Sequence, residues 1–123
     1  MRPIKKLGIG LLFTAALGFG FTTYTYRGQL MDASCYNQNP SSGDKAWVRC
    51  APTNSTTDFA IHTNGKVRML DAAGNQKAET ALKEGDLKRD PNGDVPVVVA
   101  GWRHGNTIKV ESIRAHKSNV SVH

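Results

Sequence analysis

Residues 95–113, Val-Pro-Val-Val-Val-Ala-Gly-Trp-Arg-His-Gly-Asn-Thr-Ile-Lys-Val-Glu-Ser-Ile from Val95 to Ile113, decide the fold class of this chain. Two β-rich runs flank the turn His104-Gly105-Asn106, a strong hairpin signal. The second run alternates polar Thr107, Lys109 and Glu111 with apolar Ile108 and Val110, so one face is wet and the other buried. The first run, Val97 to Trp102, is apolar almost throughout, as expected of a strand covered on both faces or closing a small barrel.

Working outward, Asp58 to Thr63 and Lys66 to Asp71 read as a second hairpin around Asn64-Gly65, the residue pair of a type I′ turn. Phe59 and Ile61 are expected on one side with Val67 and Met69 facing them, and Leu70 closing the edge. Tyr24 to Met31 reads as an earlier strand with a bend or bulge at Gly28. Between them, Cys35 to Thr57 is rich in Asn, Ser, Thr and Pro, a long polar loop with Trp47 and Val48 as its large apolar anchor. Asn75 to Gly85 is helical: Ala78, Ala81 and Leu82 share a face and Gly85 stops the run. Lys88 to Asp94 is a turn-rich connection. From Arg114 to His123 periodicity is lost, and a frayed tail is expected.

The N-terminus has a different character. Met1 to Lys6 carries Arg2, Lys5 and Lys6, Leu7 to Phe21 is apolar or small, and no charged residue appears from Leu7 to Tyr26. A basic head before an apolar core is the layout of a secretory signal, and the positive-inside rule sends the chain beyond it outward. Two outcomes stay open. Ala16-Leu17-Gly18 has small residues at cleavage spacing, whereas the uncharged run is long enough for a tight membrane span with Phe19, Phe21, Tyr24 and Tyr26 at its outer end. The expected division is residues 1–23 as signal peptide or inner-membrane anchor, 24–115 as one β domain, and 116–123 as a flexible tail. The leader also holds half of the net charge of +6, since without its three cations the chain is at +3. Net charge is therefore no argument for a nucleic-acid partner.

Two cysteines, Cys35 and Cys50, form an even count in a chain with an export signal, which reads as a disulfide. A loop of this length is worth on the order of 3 kcal/mol in the chain-entropy model. Neither cysteine has further Cys or His at metal-ligand spacing.

The order is strand, long loop, hairpin, short helix, hairpin. That is the order of an OB-like fold: mainly β, a five-stranded partly open barrel with one short helix between its third and fourth strands, here preceded by an N-terminal hydrophobic helix. Gly28-Gln29-Leu30-Met31-Asp32-Ala33-Ser34-Cys35 near the start, and Gly101 with Gly105-Asn106-Thr107-Ile108-Lys109-Val110-Glu111-Ser112-Ile113 at the end, resemble a group of short exported bacterial domains of unknown function with OB-like barrels. The resemblance covers both ends of the domain and leaves out the middle. It implies a fold and export from the cytoplasm, and it carries no activity.

No catalytic, cofactor or metal motif is present: no Gly-x-Ser-x-Gly, no phosphate loop, no His-Glu-x-x-His. His62, His104, His116 and His123 are scattered without ligand spacing. Asn54-Ser55-Thr56 matches a glycosylation acceptor in a loop where that pattern arises by chance. The expectation is a non-enzymatic envelope protein, periplasmic or tethered to the inner membrane and facing the periplasm, that needs no cofactor. OB barrels hold ligands on the second and third strands and adjoining loops, so the candidate surface is His62, Lys66, Arg68, Trp102 and Arg103, with the disulfide-pinned Trp47 loop nearby. Cations beside aromatics suit an anionic envelope glycan, a lipid headgroup or another envelope protein, and export argues against nucleic acid. The competing expectations are that Trp102 is core and Lys66 and Arg68 an ordinary wet strand face, or that the domain is a membrane-tethered structural unit without a ligand.

Overall fold

The computed structural model describes residues 22–38 and 46–116. The expected hydrophobic helix in residues 1–21 and the tail from 117 onward lie outside that range. Among the described residues no helix is long and apolar enough to cross a membrane.

The chain is mainly β. Five strands, β1 (Tyr24–Asp32), β2 (Phe59–Thr63), β3 (Lys66–Leu70), β4 (Pro96–His104) and β5 (Thr107–Ala115), form a single sheet that closes in a ring in the order β1-β2-β3-β5-β4. Three helices accompany them: α1 (Ala33–Gln38), α2 (Ala46–Arg49) and α3 (Ala72–Lys83). The β4–β5 hairpin pairs from His104↔Thr107 to Val97↔Ala115, so the last strand runs past Ile113 where the lost alternation suggested fraying. His116 N–H still donates to the Pro96 carbonyl. Ladder hydrogen bonds need no apolar side chain, which is why the pattern ended before the strand did.

Closure is uneven. β1 runs antiparallel to β4 over six pairs, Tyr24↔Gly101 to Gln29↔Pro96, while the parallel β3–β5 seam has two, Met69↔Thr107 and Leu70↔Ile108. Coiling brings backbones together at two glycines. A Cβ on Gly28 would collide with the carbonyl oxygen of His62, and one on Gly101, opposite the register shift that leaves Glu111 of β5 unpaired, with that of Lys109.

The ring is plugged by Phe59, Leu30, Ile61, Leu70, Val95, Val97, Val99 and Ile108, with Ala78 and Ala81 of α3 covering one side. Helix α3 starts three residues earlier than its apolar spacing suggested. Asp71 caps it, accepting from Gly74 N–H (2.9 Å) and also from Val110 N–H (3.2 Å), which ties the helix start to β5. Gly74 lies against Val110, so a residue that weakens the helix signal is what lets α3 approach the sheet.

A second, smaller core of Met31, Ala33, Ala46, Cys50 and Ala60 lies outside the ring. Where a polar loop was expected, the chain instead forms the short helices α1 and α2, joined by the Cys35–Cys50 disulfide with a Cα–Cα distance of 5.5 Å. Asp32 organises the first. One carboxylate oxygen accepts from Cys35 N–H (3.0 Å) at the start of α1, and the other from the Thr56 hydroxyl (2.7 Å). Thr56 of the glycosylation-like triplet is therefore a buried hinge pin of this flap. Of the two expected anchors, Trp47 packs on the second core and Val48 is 52% exposed.

Candidate functional site

The β2–β3 turn sets the site. Asn64 (φ 52°) and Gly65 (φ 78°) are both left-handed, as a type I′ turn requires, and a two-residue turn pairs Thr63 with Lys66. Counting back, His62 faces Val67, Ile61 faces Arg68 and Ala60 faces Met69. Cross-strand partners share a face. Arg68 is thus on the interior side with Ile61, while Val67 and Met69 pack on the second core. This reverses the expected facing of β3, and it removes Lys66 and Arg68 from the wet outer face.

The same rule places other residues at that end. Tyr26 pairs with core Val99, Arg103 with core Ile108, and Tyr24 with Gly101, itself opposite Val110. The interior is therefore apolar through its middle and becomes cationic and aromatic at the end where β1 begins and β4 finishes. There it opens as a groove of about 800 Å³ lined by Thr22, Tyr24, Tyr26, Thr63, Asn64, Lys66, Arg68, Trp102 and Arg103. Three of these nine side chains are cationic, three are aromatic and none is acidic. Among the described residues no carboxylate lies within ion-pair distance of Lys66, Arg68 or Arg103; the ion pair present is Lys83–Glu79 on α3. Asn106 of the β4–β5 turn accepts from the Arg68 guanidinium (3.2 Å), orienting it without neutralising it. The short seam contributes: Lys66 and Arg68 precede the first β3–β5 pair, so no β5 residue pairs with them.

Four of the five candidate residues, Lys66, Arg68, Trp102 and Arg103, line this groove. His62 does not. It sits on the opposite face of β2, its ring 4.3 Å from that of Trp47. The residues missed were Thr22, Tyr24, Tyr26, Thr63 and Asn64. The tyrosines were visible as aromatics spaced by two on one strand face, a signal that also fits a membrane-proximal segment.

The Trp47 side of the molecule is a separate polar cluster. Gln29 pairs with His62, Trp47 hydrogen-bonds to Asp94, and Oε1 of Gln29 and Oδ1 of Asp94 are buried acceptors with no protein partner. Burial, then the neighbouring Asp90 charge, raises the Asp94 carboxyl above its ordinary 3.8, opposed by the Trp47 hydrogen bond. The folded state thus holds the Asp94 proton more tightly than the unfolded chain. Ionisation subtracts stability as pH rises above 3.8, and the loss is complete once pH exceeds the folded pKa. Asp94→Asn, which keeps an acceptor for Trp47, is expected to raise the urea midpoint at pH ~7. The gain should vanish toward pH ~3; an equal gain at both pH values would contradict this origin.

Among the described residues no three His, Cys, Asp or Glu gather as metal ligands. The chain matches no protein-family model, no curated protein and no solved structure.

Proposed function

We propose that this is an exported binding module of the OB type, whose barrel-end groove holds an anionic ligand of the cell envelope. The carrying observation is the lining: Lys66, Arg68 and Arg103 beside Tyr24, Tyr26 and Trp102, with no acid among them. Guanidinium and ammonium groups supply charge-assisted hydrogen bonds to phosphate or carboxylate oxygens, and the rings supply faces for sugar or glycerol carbons. The volume is in the range of small-ligand sites. The OB assignment is supported by the ring order, by α3 between β3 and β4, and by the resemblance of the Gly28–Cys35 and Gly101–Ile113 stretches to exported OB-like domains. Export is supported by the basic head and apolar run at the N-terminus.

The test is titration of the protein with a glycerol-phosphate oligomer and with a polyuronate oligosaccharide, read by tryptophan fluorescence and calorimetry. Each charge-assisted contact is worth about 1.5–3 kcal/mol, so Lys66→Ala, Arg68→Ala and Arg103→Ala are each expected to weaken binding about tenfold or more. These positions lie at the rim of the core, so unfolding midpoints should change little. Saturable binding that survives all three substitutions would reject the groove.

A further inference from the structure

The groove sits where the chain enters the domain. Thr22 lines it, and Thr22 directly follows Phe21, the last residue of the apolar run Leu7–Phe21. No spacer separates the two. No charged residue stands between the apolar run and the groove residues Thr22, Tyr24 and Tyr26, since the uncharged stretch continues to Tyr26 as β1 begins. One residue of extended chain covers at most about 3.6 Å. If the apolar run occupies a bilayer, the groove mouth is therefore held within a few ångströms of the headgroups.

The groove's chemistry fits that position. Tyr and Trp rings concentrate at the membrane–water boundary, and Lys and Arg at a membrane surface are drawn to anionic lipids. Tyr24 is 57% exposed, one of the two large apolar side chains among the described residues left so open. We infer that the barrel-end groove docks on the membrane that anchors the chain, with Lys66, Arg68 and Arg103 on the phosphates of anionic lipid headgroups and Tyr24, Tyr26 and Trp102 at the level of the glycerol backbone. This rests on the groove being an anion site and commits it to one source of anion. It also gives the retained leader a use: the anchor aligns the groove and raises the local headgroup concentration, so each contact can be weak.

The experiment uses the full chain reconstituted in vesicles of acyl-brominated phosphatidylcholine, alone or mixed with phosphatidylglycerol. Bromine quenches a tryptophan that reaches the interface. Quenching is expected in the mixed vesicles, and the Trp102→Phe variant, which leaves Trp47 as a reporter, should lose most of it. Each cation near an anionic surface favours docking by about fivefold, so Lys66→Glu/Arg68→Glu/Arg103→Glu should shift docking by well over a hundredfold and abolish the quenching. The Gln triple variant, which only removes charge, should reduce it in the same direction, and near-ultraviolet circular dichroism reports whether each variant is folded. Quenching equal in both lipid compositions, or unchanged in a folded triple variant, overturns the inference. Binding of the soluble glycerol-phosphate oligomer without lipid-dependent quenching would overturn membrane docking and leave the anion groove standing. Loss of both would remove the two together.

Discussion

Phe59→Ala is expected to destabilise the domain by about 3–5 kcal/mol, the range for emptying an aromatic site in a close-packed core. Domains of this size have total stabilities of about 5–15 kcal/mol, so the variant should be marginal at physiological temperature. Position makes the cost large. Phe59 heads the fully buried side chains and lies with Leu30, Ile61, Leu70, Val97 and Ala78, contributed by β1, β2, β3, β4 and α3. Its N–H also donates to Asn75 Oδ1 of α3 (2.8 Å), so helix and ring are joined at the same residue. Few neighbours can relax into the void without opening a strand pair. Urea denaturation measures the loss, with Phe59→Leu as a control that keeps much of the volume and should cost markedly less. A loss below about 1 kcal/mol for the alanine variant would mean that the ring collapses around the gap, unlike close-packed cores.

Removing the disulfide by Cys35→Ala/Cys50→Ala is expected to cost about 3 kcal/mol, from the loop entropy regained by the unfolded chain. Reduction of the wild type should reproduce the shift, and the same reductant should leave the double variant unchanged. Local contacts retain some of the flap. Asp32 N–H donates to the Cys50 carbonyl (2.8 Å), Thr56 holds the Asp32 carboxylate, and Arg89 donates to the Pro52 carbonyl (2.5 Å). The damage should therefore spread through the second core before it reaches the ring. The groove lies at the start of β1 and the disulfide beyond its end, roughly 25 Å apart along the strand at about 3.3 Å per residue. Anion binding is expected to survive reduction in whatever fraction remains folded. Joint loss of binding and disulfide in folded protein would show that the flap supports the groove.

The hairpins illustrate how far local sequence reaches. Asn64-Gly65 specified its turn, and with it the pairing of Ile61 with Arg68, by counting alone. Reading Val67 and Met69 as partners of Phe59 and Ile61 followed side-chain polarity instead of that count. Polarity misled because this sheet has apolar cover on both faces: the ring core inside, and the Trp47 flap outside. The flap helices were illegible for a related reason. Segments of six and four residues carry almost no periodicity, and they hold their shape through the disulfide, the Asp32 cap and burial of Ala33 and Ala46.

Strand content, both hairpins, the existence of the central helix and the Cys35–Cys50 pairing were determined by the sequence, because each rests on short-range turn chemistry, residue spacing or a count of two. Ring closure, the start of α3 at Asp71 and the gathering of Tyr24, Tyr26, Lys66, Arg68, Trp102 and Arg103 around one groove were decided only in three dimensions. Those six residues come from three strands, and no local preference records which positions gather beyond the apolar plug. That depends on register and on a β3–β5 seam only two pairs long.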